Sequence, residues 1–142
     1  MTDKTVLVVA GSDSSGGAMR AWIADVVDRG LEADQKVIAA HGCYAMTATT
    51  ALTAQNTMGV TGIHQIPPEF TRKQIDAVFQ DIPPSVVKTG MLGSAVTIEM
   101  LAQALVDYQV EKLILDPVMV ATTGAQLLPE NAVTELRQTP PR

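Results

Sequence analysis

Cysteine is almost absent from this sequence, because Cys43 is the single one among 142 residues. One thiol cannot close a disulfide within the chain, and no grouping of Cys and His has the spacing of a metal site. Free cysteines are usually buried, so we predict that Cys43 is a small buried residue. The scarcity of cysteine excludes an internal disulfide framework and predicts no metal centre.

Positive charge and long apolar runs are also scarce. The chain has 10 Lys and Arg against 15 Asp and Glu, a net charge of -5, and its cations are scattered. This argues against a surface for nucleic acid, which needs clustered cations. No apolar run reaches the length of about 18 residues that a membrane helix needs, and the N-terminus lacks a signal-peptide pattern. We therefore predict a cytoplasmic protein that binds neither nucleic acid nor membrane.

Apolar residues make up 46% of the chain, which is enough for one globular core. Strand-like apolar runs alternate with stretches that have helical spacing. Strands are predicted at 5–10, 45–54, 60–65, 85–88 and 112–115, and helices at 18–40, 69–80 and 95–108. Such alternation is typical of an α/β fold whose parallel strands are joined by right-handed crossovers.

A turn rich in glycine and serine, residues 11–17, follows the first predicted strand. Gly16 and Gly17 would allow positive φ and a close approach of the main chain to a ligand. The turn matches neither the dinucleotide pattern nor the P-loop, since Met19 and Arg20 stand where a P-loop needs lysine and a hydroxyl. By itself it fits a ligand-binding turn and an ordinary β–α connection equally well.

Polar blocks follow several of the predicted strands. They are residues 11–17, 55–56, 89–91 and 116–117. In open α/β sheets, ligands bind beyond the carboxyl ends of the strands. We therefore expect one crevice to collect these blocks.

Five further blocks stand in order along the chain at 31–36, 41–44, 50–57, 87–92 and 113–119. Together with the glycine-rich turn they resemble the hydroxymethylpyrimidine and phosphomethylpyrimidine kinases of thiamine biosynthesis, in the ribokinase-like superfamily. The resemblance extends from Val6 to about Arg137. It implies a three-layer α/β/α fold with a mostly parallel sheet, of which residues 1–142 would be the N-terminal, substrate-binding part, truncated before the ATP-binding part.

The resemblance also implies which residues bind the aminopyrimidine substrate. Gln55 would present a donor and an acceptor to the ring nitrogen and the exocyclic amine. Asp34 would hold the hydroxymethyl group, and Met91 and Val118 would form apolar walls. Without the resemblance, Gln55 is an amide facing water and Met91 a core filler. The implied set is Gly11, Ala18, Asp34, Gln55, Met91 and Val118.

The chain departs from the family pattern by eleven added residues, 19–29. A continuous helix over 18–40 would bury their apolar side chains but shift Asp34 by about 16 Å, out of the pocket. Alternatively the added residues loop out, and Gly30 restarts the helix in the family register. We favour the continuous helix. A third possibility is a retained intron or an error in the gene model.

A second departure concerns the catalytic half. The family implies ATP and Mg²⁺, but its ATP site and catalytic residue lie later in the domain, and no second glycine-rich helix opening follows Asp116. We therefore predict no catalytic residue, no tight binding of ATP or Mg²⁺, and no kinase activity in this chain alone. The alternative is a non-catalytic, truncated or mis-spliced fragment that at most binds the pyrimidine. The family also allows a homodimer and, less well, specificity for pyridoxal.

Overall fold

The computed structural model describes residues 4–16 and 30–116. Within them, strands alternate with helices as the sequence predicts, and the α/β prediction is confirmed. The strands are β1 (Thr5–Asp13), β2 (Tyr44–Asn56), β3 (Gly59–Gln65), β4 (Val86–Thr89) and β5 (Leu113–Leu115). The helices are α1 (Leu31–Ala40), α2 (Pro68–Asp81) and α3 (Ala95–Asp107).

The five strands form one sheet in the order β3-β2-β1-β4-β5. All neighbours pair in parallel except β3, which runs antiparallel to β2. The central strand is β1, and its residues from Leu7 to Ala10 are completely or almost completely buried. A strand covered on both faces needs apolar residues at successive positions, which explains the unbroken Val and Leu run.

Helices cover both faces of the sheet. Leu7 and Val9 of β1 pack in one cluster with Ile75 of α2 and Leu101 of α3. Val8 and Ala10, which alternate with them, pack on Leu31 of α1. Because successive strand residues point to opposite faces, α1 forms one outer layer and α2 with α3 the other. The predicted three-layer architecture with a mostly parallel sheet is confirmed.

The prediction of an unbroken helix over 18–40 is wrong at Gly30. Gly30 has φ 137° and ψ 168°, and α1 begins only at Leu31. That φ is open to glycine and strained for other residues, and a Cβ at Gly30 would lie 3.2 Å from the Cβ of Asp13. Helix α1 therefore starts directly after Gly30, as the alternative interpretation expected. The added segment 19–29 lies outside the described residues.

The prediction of a buried Cys43 is also wrong, because the residue is only half-buried. It lies in the connection between α1 and β2, just after Gly42, and its thiol is 3.8 Å from the carbonyl oxygen of His41. Connections run over the surface even when the residue type favours the core. Within residues 4–16 and 30–116, no helix is long and apolar enough to cross a bilayer.

A charged network joins α2 to α3 on the outer layer. Arg72 donates to Asp76 at 2.7 Å and to Asp107 at 2.8 Å, and the Tyr108 hydroxyl donates to Asp76 at 2.7 Å. Burial acts to raise the pKa of Asp76, but the hydrogen bonds from Tyr108 and Arg72 outweigh it and lower the pKa. Hydrogen bonds from Gln103 and Arg72 lower the pKa of Asp107.

These shifts predict how acid weakens the contact between the helices. A carboxyl group whose pKa is lowered in the folded state stabilises that state. This contribution is fully present above the ordinary Asp pKa of about 3.9, and it is lost as the pH falls through the lowered pKa. We expect Arg72→Met to lower the melting temperature by a steady amount from about pH 7 to pH 5, and by less below about pH 4. Thermal melts by circular dichroism measure this. Lys73→Met, at an exposed neighbour, is the control, and a deficit that stays constant in acid would contradict the prediction.

Candidate substrate-binding site

The first strand ends in a turn that closes on itself. The Oδ1 atom of Asp13 accepts from the backbone N of Ser15 at 2.8 Å and from its hydroxyl at 2.7 Å. The backbone N of Gly16 donates to the carbonyl of Asp13 at 2.9 Å. Asp13 is 4% exposed, and its Oδ2 is buried with no hydrogen-bond partner among the residues that the structure describes. These hydrogen bonds therefore fix the conformation of the turn at the carboxyl end of β1.

Glu32, in the first turn of α1, ties this turn to the helix. Its Oε1 accepts from the Ser12 hydroxyl at 2.5 Å, and its Oε2 accepts from the backbone N of Asp13 at 2.7 Å. Glu32 is not among the residues predicted from the sequence. An acidic residue in a first helical turn favours the helix dipole, but that signal does not reveal a partner twenty positions away.

Asp34, one turn into α1, meets a lysine from the sheet. The Nζ of Lys88, on β4, lies 2.6 Å from Asp34 Oδ2 and 3.8 Å from Asp116 Oδ2. The Lys88 side chain reaches α1 because residue 88 pairs with Val8, whose side chain faces the same helix. Asp34 thus lies near the carboxyl ends of β4 and β5.

Gly11 and Met91 lie in contact. Met91 follows β4, is 8% exposed and packs on Ala51 of β2. A Cβ on Gly11 would collide with the methyl group of Met91. The Thr50 hydroxyl donates to the Met91 carbonyl at 2.5 Å, from the point where the pairing of β2 with β1 skips a residue.

Gln55 lies near the end of β2, and its backbone docks on the glycine-rich turn. The Ser14 hydroxyl donates to the Gln55 carbonyl and accepts from the Gln55 backbone N, both at 2.7 Å. The Thr53 hydroxyl, which has one proton, donates it to the Ser12 carbonyl at 2.8 Å. Its oxygen lies 3.3 Å from the side-chain Oε1 of Gln55, a weak contact that a ligand can replace.

Four of the six predicted substrate-binding residues, Gly11, Asp34, Gln55 and Met91, thus belong to the strand ends and first helical turn at one edge. The other two, Ala18 and Val118, lie outside the described residues. The binding role of all six stays a prediction.

The model of the phosphomethylpyrimidine kinase family matches residues 13–140. The chain belongs to this family. It is 50% identical over 134 residues to the thiamine biosynthesis bifunctional protein ThiED of Geobacter sulfurreducens, covering 94% of this chain and 25% of that protein. The hydroxymethylpyrimidine/phosphomethylpyrimidine kinase of Bacillus subtilis is 44% identical, with 93% of this chain and 45% of that protein covered.

Solved structures of kinases share the fold. The phosphomethylpyrimidine kinase of Clostridium difficile 630 matches with a TM-score of 0.79 and 42% identity, over 93% of this chain and 52% of that one. The pyridoxal kinase of Staphylococcus aureus, solved with AMP-PCP, matches at 0.75 and 28% identity, over 96% and 45% of the two chains. The chain thus spans a quarter to about half of the length of these relatives.

The lysines at the site edge already have protein partners. Lys36 is exposed, yet its Nζ donates to the Gly16 carbonyl. Lys88 is engaged by Asp34 and Asp116. Across residues 4–16 and 30–116, no group of three or more His, Cys, Asp and Glu side chains could hold a metal ion.

Proposed function

We propose that this chain is the aminopyrimidine-binding part of a hydroxymethylpyrimidine/phosphomethylpyrimidine kinase of thiamine biosynthesis. The observation that carries the proposal is the contact of Gly11 with Met91 at the carboxyl ends of the strands, where Gln55 of β2 and Asp34 of α1 also lie, in a chain of this family. Ligands of α/β sheets bind at that edge. The substrate would be 4-amino-5-hydroxymethyl-2-methylpyrimidine, and then its phosphate.

Each side chain has a separate task in this proposal. The Gln55 amide, whose Oε1 has among the described residues only the 3.3 Å contact with the Thr53 hydroxyl, presents a donor and an acceptor to the ring nitrogen and the exocyclic amine. Asp34 accepts from the hydroxymethyl group. Met91, packed against Gly11 and Ala51, supplies an apolar surface for the flat ring. Ala18 and Val118 complete the proposed pocket.

The phosphoryl donor would be ATP with Mg²⁺, as the kinase relatives suggest. Transfer works mainly by stabilising charge around the moving group, and both lysines at the described edge are already paired. We therefore propose that the 142-residue chain binds pyrimidine without phosphorylating it. The second candidate function, a non-catalytic chain, is favoured by the pairing of both lysines.

A pyridoxal kinase is the related alternative. The S. aureus pyridoxal kinases match at 25–28% identity, against 44% for the B. subtilis pyrimidine kinase. Pyridoxal lacks the exocyclic amine beside a ring nitrogen that an amide such as Gln55 recognises. The difference in identity and the amide both favour the pyrimidine.

Calorimetry on the purified chain tests the proposal. We expect the aminopyrimidine alcohol to bind, pyridoxal to bind more weakly, and Gln55→Ala to weaken the alcohol about tenfold or more, because the amide makes two hydrogen bonds. Gln80→Ala, at an exposed position of α2, is the matched control. A well-folded chain that gives no heat with the alcohol would overturn the binding function.

Incubation with labelled ATP and the alcohol tests the second part. We expect no phosphorylated pyrimidine from the 142-residue chain. Formation of product by the wild type that disappears with Gln55→Ala would show that the chain is catalytic, and would refute the non-catalytic candidate.

A further inference from the structure

We propose that Lys88 is a positioning residue that presents one chosen oxygen of Asp34 to the hydroxyl group of the substrate. The inference rests on the proposed function. It concerns a lysine that the family resemblance did not assign to substrate. Its basis is the Asp34–Lys88–Asp116 cluster at the carboxyl edge of the sheet.

Lys88 occupies an unusual position for a lysine. It lies on β4, between the central strand β1 and β5, and its side chain is only 20% exposed. Lysines are seldom held this far from water unless they are paired. The pairing here is unequal, since Asp34 lies at hydrogen-bond distance and Asp116 is 3.8 Å away. Asp34 is therefore the primary partner, and Asp116 adds charge compensation.

The contact with Asp34 engages one oxygen only. Lys88 donates to Oδ2, and no hydrogen bond to Oδ1 is formed by any described residue. An ionised carboxylate can accept at both oxygens. A compact ammonium that holds Oδ2 leaves Oδ1 available to a hydroxyl donor and limits rotation of the carboxylate. Asp34 is additionally fixed in the chain by its backbone N, which donates to the Gly30 carbonyl at 3.1 Å.

Replacing lysine by arginine separates positioning from simple charge pairing. A guanidinium binds a carboxylate through two parallel N–H groups and so tends to occupy both oxygens. Lys88→Arg would keep the ion pair but cover Oδ1. A purely structural role would be preserved by this variant, whereas the positioning role would be lost.

The test compares two ligands by calorimetry: the aminopyrimidine alcohol and 4-amino-2,5-dimethylpyrimidine, which lacks the hydroxyl. We expect the wild type to prefer the alcohol by about tenfold or more, since a hydrogen bond to a charged group contributes that much. Lys88→Met and Lys88→Arg should each reduce this preference to about twofold, with the dimethyl compound bound as in the wild type. Lys112→Met, at an exposed lysine before β5, should keep the wild-type preference.

The outcomes separate the two proposals. If the wild type binds neither ligand, the proposed function fails and this inference fails with it. If the wild type binds both ligands equally, the pyrimidine site stands but the contact of Asp34 with the hydroxyl is refuted, and with it the role of Lys88. If the wild type prefers the alcohol and both Lys88 variants keep that preference, Lys88 is merely structural. If Lys88→Met does not fold, Lys88→Arg decides alone.

Discussion

Replacing Gly90 with alanine is expected to lower the free energy of unfolding by about 3 kcal/mol, because it overpacks the junction of two central strands. Gly90 is buried directly after β4, and its backbone N donates to the Val9 carbonyl at 2.9 Å. A Cβ at this position would lie 2.8 Å from the Cβ of Ala10. That carbon is fixed to the backbone and cannot rotate away, so β1 and β4 must separate.

A second change should relieve this strain. Ala10→Gly removes the carbon that the new methyl group meets, at its own cost of about 0.5 to 1 kcal/mol. We expect the double variant to be more stable than Gly90→Ala alone, as measured by urea denaturation of both single variants and the double. If the double variant loses as much stability as the two single variants together, the close approach of Gly90 to Ala10 is contradicted. Gly11→Ala provides a comparison, since its obstacle is the flexible end of Met91, and it should cost less.

Glu32→Ala is expected to reduce the free energy of unfolding by a similar amount, about 3 kcal/mol, since hydrogen bonds to a charged group contribute about 1.5 to 3 kcal/mol each. The carboxylate accepts from the Ser12 hydroxyl and from the backbone N of Asp13. Its removal leaves a backbone donor at the end of the central strand unpaired. The glycine-rich turn should then lose protection against hydrogen exchange before the rest of β1.

Two variants sharpen this prediction. Glu32→Gln keeps one acceptor oxygen and most of the shape, so we expect about half of the loss seen with alanine. Glu99→Ala, at an exposed position of α3, should change the stability by no more than about 0.5 kcal/mol. Equal stability of Glu32→Ala and Glu99→Ala would mean that the bonds of Glu32 contribute nothing net.

Much of the fold could be predicted because its signals are local. The Val and Leu run of β1 and the apolar spacing of α2 and α3 indicated element type within one or two turns of chain. The parallel order followed from alternation, since parallel strands need crossovers. The wrong prediction of one continuous helix through Gly30 has a local cause as well. Apolar residues on both sides favoured one helix, but glycine can adopt the positive φ that is found directly before α1.

The site could be predicted only in part. The positions of Gly11, Asp34, Gln55 and Met91 followed from a resemblance in ordered motifs, and the edge of the sheet followed from topology. The partners of Glu32 and Lys88 did not, because they join residues 20 and 54 positions apart. Such pairs depend on which face of β4 meets α1, and on where α1 begins.

The amino-acid sequence alone determined that this chain builds an α/β sheet and that it resembles a pyrimidine kinase. The periodicity of apolar residues and the order of the motifs can both be found along the chain without knowledge of which residues meet in space. Only the tertiary structure decided that Asp34 lies at the sheet edge against Lys88, and that Glu32 holds the end of β1. The backbone conformation of a single glycine, Gly30, precedes the start of α1, the helix that carries both Glu32 and Asp34.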